Sequence, residues 1–203
     1  MAKTKPLHGV AILGPSATWG AGNLYDERWE IWGLNSSYRN QGPATRWARI
    51  FNLHRYAHLE RDVPQYVDWD SVYSRRHPKV PFYVVDSWKG LLKNQVIFPQ
   101  RELAAQPRGR YHASSFDWLV AYAIQLGARN IHIYGAAFAI EGPGQEPISA
   151  RACLEYWCGY AQGLGIGVIA GRDCVGLFRQ FNLVMSDSLY GYDDVHMVEE
   201  RKR

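Results

Sequence analysis

Ser114-Ser-Phe-Asp-Trp-Leu-Val-Ala-Tyr-Ala-Ile-Gln-Leu-Gly-Ala-Arg-Asn-Ile-His-Ile-Tyr-Gly135 is the stretch that decides the fold class. Its first half places Phe116, Leu119, Val120, Ala123 and Leu126 at helical spacing, with Ser114 and Asp117 as a capping-box pair and Gly127 as the stop. Its second half, Asn130 to Tyr134, reads as a strand ending at Gly135. The pattern then repeats. A helix over 149–162 carries Cys153, Tyr156, Trp157, Tyr160 and Ala161 on one stripe, Gly163 closes it, and the strand Gly167 to Ala170 ends at Gly171. This is a βαβ alternation, whose crossovers are right-handed. Between the two units, residues 139–148 hold Gly and Pro at close intervals and are expected to be a flexible loop.

Towards the N-terminus, four further runs read as strands: Gly9 to Leu13, Glu30 to Leu34, Arg49 to Leu53 and Val80 to Val85. Pro81 favours an edge position for the last of these. Strands apolar on both faces belong in parallel sheets covered by helices. The expected class is therefore α/β, a Rossmann-like three-layer sandwich with a mostly parallel sheet of about six strands. One domain over residues 1–203 is expected, with 55–110 a candidate insertion or lid.

Composition agrees with a folded globular chain, at 47% hydrophobic and 21% charged. The net charge is +4 and the pI near 9.0, a mild bias towards phosphates, nucleotides or nucleic acid. It falls short of the Lys/Arg stripe of a dedicated DNA binder: the dense spots are Arg75-Arg76, Arg108/Arg110 and Arg201-Lys202-Arg203. The aromatic share of 14% suits either a large aromatic core or stacking surfaces for bases, sugars or a partner. Cys153, Cys158 and Cys174 match no zinc-ligand spacing and read as reduced, buried thiols, and no metal-ligating residues are assigned. The apolar run from Val10 stops at Gly14, and no run approaches the length of a membrane span. A soluble cytoplasmic protein without a membrane partner is expected.

Ligands of open parallel sheets bind outside the carboxyl ends of the strands. Those positions here are Gly14-Pro15-Ser16, Asn35-Ser36, His54, Asp86-Ser87 and Tyr134-Gly135. Gly14 allows close backbone approach, and Ser16 and Thr18 offer hydroxyls beside amides, a combination that suits a phosphate. No Gly-Lys-Ser/Thr and no GxGxxG follows, which disfavours ATP hydrolysis and nicotinamide redox chemistry. Each of these residues also has a structural reading. Gly-Pro-Ser makes turns, Asn ends strands, and Ser114 and Ser115 cap a helix whose N-terminal amides could hold an anion instead. His54 and His112 are the catalytic candidates, as acid, base or phosphate partner. Arg151 and Glu155 read as a surface pair one helical turn apart.

The openings Val10 to Ser16 and Glu30 to Asn35, with the block 114–135, resemble bacterial lipooligosaccharide sialyltransferases and the hydroxymethylpterin pyrophosphokinase-like domains. The wider layout, including Phe51-Asn-Leu-His54, Arg151 to Trp157 and Leu189-Tyr-Gly-Tyr192, resembles a family of uncharacterised phage proteins. The resemblance implies a nucleotide pocket of Gly14, Pro15, Ser16 and Asn35, with Ser114 and Ser115 nearby, holding in the sialyltransferases a cytidine-nucleotide sugar. Two positions depart from the pattern. An acidic residue usual two places after Gly135 is Ala137 here, and a Glu frequent before the Leu-His pair is Asn52. The catalytic histidine of the sialyltransferases has no counterpart downstream of Gly135.

The expected function is a nucleotide or nucleotide-sugar binding transferase, glycosyltransferase-like and phage-encoded, acting in the host cytoplasm. Modified DNA is its candidate acceptor, a nucleotide-sugar donor its expected co-substrate, and a homo-oligomer closing the pocket is compatible with it. The alternatives are a non-catalytic protein that sequesters a nucleotide defence signal, and an interaction domain with a vestigial site.

Overall fold

The computed structural model describes residues 7–18, 20–41, 45–85, 88, 90–106, 109–136 and 146–174. Seven strands form one sheet: β1 (Gly9–Leu13), β2 (Trp29–Leu34), β3 (Trp47–Asn52), β4 (Phe82–Val84), β5 (Gln95–Ile97), β6 (Asn130–Tyr134) and β7 (Gly167–Ala170). Their order is β5-β4-β3-β2-β1-β6-β7 and every pairing is parallel. From β1 the chain steps outward to β5, then returns to lay β6 on the other side of β1. The β1/β6 boundary is thus the topological switch point, the place where open parallel sheets generally bind their ligands.

Alternation along the strands sorts side chains onto two faces. Val10 and Ile12 of β1, Phe51 of β3 and Ile131 and Ile133 of β6 pack on one face against α4 (Ser115–Gln125) and α5 (Glu146–Gly163). Ile50 of β3 and Phe82 and Val84 of β4 pack on the other with Tyr56 and Leu59 of α1 (Tyr56–Asp62) and Val67 of α2 (Pro64–Arg76). Each fully buried Leu or Ile contributes about 1.5–3 kcal/mol relative to exposure. α3 (Gln100–Ala104) follows β5.

The capping box on α4 is present as expected: Ser114 Oγ accepts from the Asp117 N–H and the Asp117 carboxylate accepts from the Ser114 N–H. Gly127, at φ +75, ends the helix, and the Ala128 N–H reaches back to the Ala123 carbonyl. Two expectations need correcting. The strand after Pro81 is internal, because Pro81 lies just before β4 and its carbonyl accepts from the Ile50 N–H. The edge is the short β5, which brings the strands to seven. Residues 146–148, expected in the loop, already belong to α5; 139–145 lie outside the described residues, as do Asp86 and Ser87.

Among the described residues no helix is long and apolar enough to cross a membrane. The three cysteines are buried and unpaired, and burial raises each thiol pKa.

Candidate functional site

The turn after β1 grows directly out of the sheet. The Gly14 N–H donates to the Tyr134 carbonyl at 2.9 Å, and the Ala17 N–H to the Gly14 carbonyl at 3.0 Å. A Cβ on Gly14 would lie 2.4 Å from the Phe116 ring and 2.7 Å from the Gly135 carbonyl oxygen. One on Gly135, at φ +67, would lie 2.1 Å from the Ala17 nitrogen. These glycines let the β1 turn, the β6 turn and the first turn of α4 touch. The space beside Gly14 is filled by protein.

A carboxylate from the end of β7 ties the two turns together. Asp173 Oδ2 accepts from the Thr18 N–H at 2.6 Å and the Thr18 hydroxyl at 2.8 Å, while Oδ1 accepts from the Gly135 N–H at 3.1 Å. An acid therefore stands at the β6 turn although position 137 is Ala. On the other side, Asn40 Nδ2 donates to the Pro15 carbonyl at 2.7 Å. Gln41 Nε2 donates to the carbonyls of Ala17 and Thr18 at 3.2 and 3.1 Å. Between these clamps Pro15 is half-buried and Ser16 is exposed.

Asn35 opens a 3-10 turn, Asn35–Arg39, that also contains Ser36. Pairing of Leu13 with Gly33 puts Asn35 level with Pro15 on the neighbouring strand end. Asn35 has φ +53, in the left-handed region that Asn tolerates better than most residues. Its Oδ1 is buried with no hydrogen-bond partner among the described residues, and so are Ser37 Oγ and Gln41 Oε1. Buried polar atoms left unpaired cost about 1–3 kcal/mol each. Three such atoms lie within residues 35–41, one of them on the residue with positive φ.

At the end of β3 the His54 N–H donates to Asn52 Oδ1 at 3.3 Å. Asn52 Nδ2 donates to Asp70 Oδ2 at 2.8 Å, and the Tyr38 hydroxyl to Asp70 Oδ1 at 2.6 Å. Asp70 is 1% exposed, and burial pushes its carboxyl up to about 6 against these two hydrogen bonds. The His54 side chain is exposed.

His112 is placed differently. Its side chain is 3% exposed, stacked between Trp118 (centroids 3.5 Å apart) and Trp157 (4.8 Å). Its Nδ1 bonds Asp117 Oδ1 at 2.7 Å, which fixes the proton on Nδ1, and Nε2 is buried without a partner among the described residues. The same carboxylate accepts from the N–H groups of Ala113 and Ser114 and from the Ser114 hydroxyl. The donors before α4 that could face an anion are thus already satisfied by Asp117, with Ser115 the first helical residue.

Tyr134 turns to the other face of β6, where the Tyr25 hydroxyl donates to its hydroxyl and bonds His132 Nδ1, both at 2.8 Å. Desolvation lowers the His132 pKa and raises that of Tyr25. The structure thus brings Gly14, Pro15, Ser16, Thr18, Asn35, Ser36 and Gly135 to one end of the sheet, around the ends of β1, β2 and β6, with Tyr134 beside them, while His54 stands at the separate β3 end. Sequence reasoning missed Asp173, Asn40 and Gln41, whose partners become neighbours only on folding. Arg151 and Glu155 do pair, at 2.9 Å.

No family model and no curated protein matches the chain. Among solved structures, it is similar to the sialyltransferase CstII from Campylobacter jejuni in complex with a substrate analogue, cytidine-5'-monophosphate. That likeness has a TM-score of 0.49 and 12% identity over 84% of each chain. At this score and identity it bears on neither the ligand nor the chemistry of the present chain.

Proposed function

We propose that the crevice over β1, β2 and β6 binds a nucleotide or nucleotide-sugar, and that the protein is a glycosyltransferase-like enzyme. The observation that carries the reading is the group of unpaired polar atoms of Asn35, Ser37 and Gln41 beside the β1 turn at the switch point. Asn35 Oδ1, buried as it stands, can accept from a base amino group or a ribose hydroxyl once the 3-10 turn opens. The exposed Ser16 hydroxyl can meet a phosphate. The sequence resemblance supports a cytidine nucleotide as the first ligand to try, and the positive net charge is compatible with a DNA acceptor. His54 is the accessible candidate for the base. His112, held by Asp117 through Nδ1, is a second candidate for the base but would need the Trp stack to open.

That burial favours a second reading, binding without turnover, in which the protein sequesters its ligand. A thermal-shift screen against nucleotides and nucleotide sugars, repeated on Ser16→Trp, tests binding. The reading expects stabilisation by one ligand class that the variant loses, and no shift with any ligand overturns it. Release of free nucleotide from the stabilising sugar donor, abolished in His54→Ala or His112→Ala while the thermal shift persists, identifies the transferase. Stabilisation without release identifies sequestration.

A further inference from the structure

A cleft of about 780 Å³ lies where the connection between α3 and α4 meets α5, lined by Ala104, Gln106, Gly109, Arg110, Tyr111 and Tyr156. This is within the volume range of small-molecule sites. Its floor is built by close approach: a Cβ on Gly109 would lie 2.0 Å from the Leu103 carbonyl oxygen, and the Gly109 N–H donates to the Gln106 carbonyl at 2.8 Å. Its wall is held from behind. The Trp157 indole N–H donates to the Tyr111 carbonyl at 2.8 Å, and Trp157 belongs to the stack with His112 and Trp118. Tyr156 stands on α5, and Tyr111 is tied to the same helix through its carbonyl.

Its mouth is unusual for this molecule. Tyr111 and Tyr156 meet edge to face at 5.0 Å, yet remain 48% and 38% exposed. Arg110 is exposed and has no ion-pair partner among the described residues, and Gln106 is exposed beside it. An exposed tyrosine ring can stack a base with the second ring at its edge, a guanidinium matches a phosphate, and a primary amide can bond a base edge.

We propose that this cleft holds one nucleoside-monophosphate unit, its base on the tyrosines and its phosphate on Arg110. Resting on the transferase reading above, the unit is the acceptor, supplied either as a free nucleotide or as a residue of single-stranded DNA. Phe116, in the first turn of α4, touches Gly14, so the segment bearing Tyr111 leads from the cleft to the donor crevice.

The test is photocrosslinking of the full chain to a short oligothymidylate carrying one 5-iododeoxyuridine, with adducts mapped by mass spectrometry. Adducts on Tyr111 or Tyr156 are expected, and affinity should fall about ten-fold in Tyr156→Ala and in Arg110→Gln. Both substitutions are at exposed positions, and circular dichroism checks the fold. In Ser16→Trp the adducts should persist, so failure of the donor crevice and failure of this cleft are distinguishable. Competition by thymidine monophosphate as strong as by the oligonucleotide would identify a free nucleotide as the source, and weaker competition would identify single-stranded DNA. No adduct, adducts elsewhere, or unchanged affinity in both variants would overturn the proposal.

Discussion

Asp70 shows how one buried side chain at a strand end ties stability to pH. Its carboxyl is 1% exposed, and the hydrogen bonds from Tyr38 and Asn52 only partly offset the loss of water. The folded-state pKa, about 6, lies above the ordinary value of 3.8. The protonated form is therefore favoured by folding: this contribution is fully present below about pH 4 and is lost as pH rises through about 6. Its size is on the order of 3 kcal/mol. Urea unfolding at pH 4 and pH 7 should show the stability difference between wild type and Asp70→Asn shifting by about that amount, and a difference independent of pH would contradict the assignment. The same site illustrates what a sequence conceals. Asn52 could be read only as a departure from a pattern, because its partner lies on α2 and the bond to the His54 turn exists only in the folded chain.

Strand-end turns, by contrast, were largely legible, since apolar runs broken by Gly leave little choice of boundary. Gly9–Leu13, Asn130–Tyr134 and Gly167–Ala170 all lie where the runs predict. β5 was not legible: Gln95–Ile97 is three residues long, half-exposed to exposed, and owes its pairing to β4 rather than to any pattern of its own. The boundary before α5 was obscured by Pro147, which a first helical turn tolerates because its N–H groups lack intrahelical partners anyway. The glycines at these turns do different jobs, and substitution separates them. Gly127 has φ +75 with open space around it, so Gly127→Ala should cost only the left-handed penalty, about 1–2 kcal/mol. Gly135 has φ +67 and backbone of Ser16 and Ala17 within 3 Å of any Cβ, so Gly135→Ala should cost several kcal/mol or leave the chain insoluble. Equal midpoints for the two variants in thermal unfolding would contradict the close packing of the β1 and β6 turns.

Across the whole molecule, a seven-stranded parallel sheet with a switch between β1 and β6 sends Gly14, Asn35 and Gly135 to one end, as strand-end reading expects. Asp173 could not be read there, because 155 residues separate it from Thr18. The histidines were legible as titratable groups but not as sites: only folding distinguishes the exposed His54 from a His112 enclosed by two indoles. The account's central claim is that a nucleotide-like ligand binds across this switch point. The most direct measurement is a 15N–1H correlation spectrum of the full chain titrated with cytidine-5'-monophosphate and then with a nucleotide sugar. The account predicts that saturable shifts concentrate on the amides of Gly14, Ser16, Thr18, Asn35 and Gly135. Shifts that never saturate, or that leave those five amides unmoved while others respond, would contradict it.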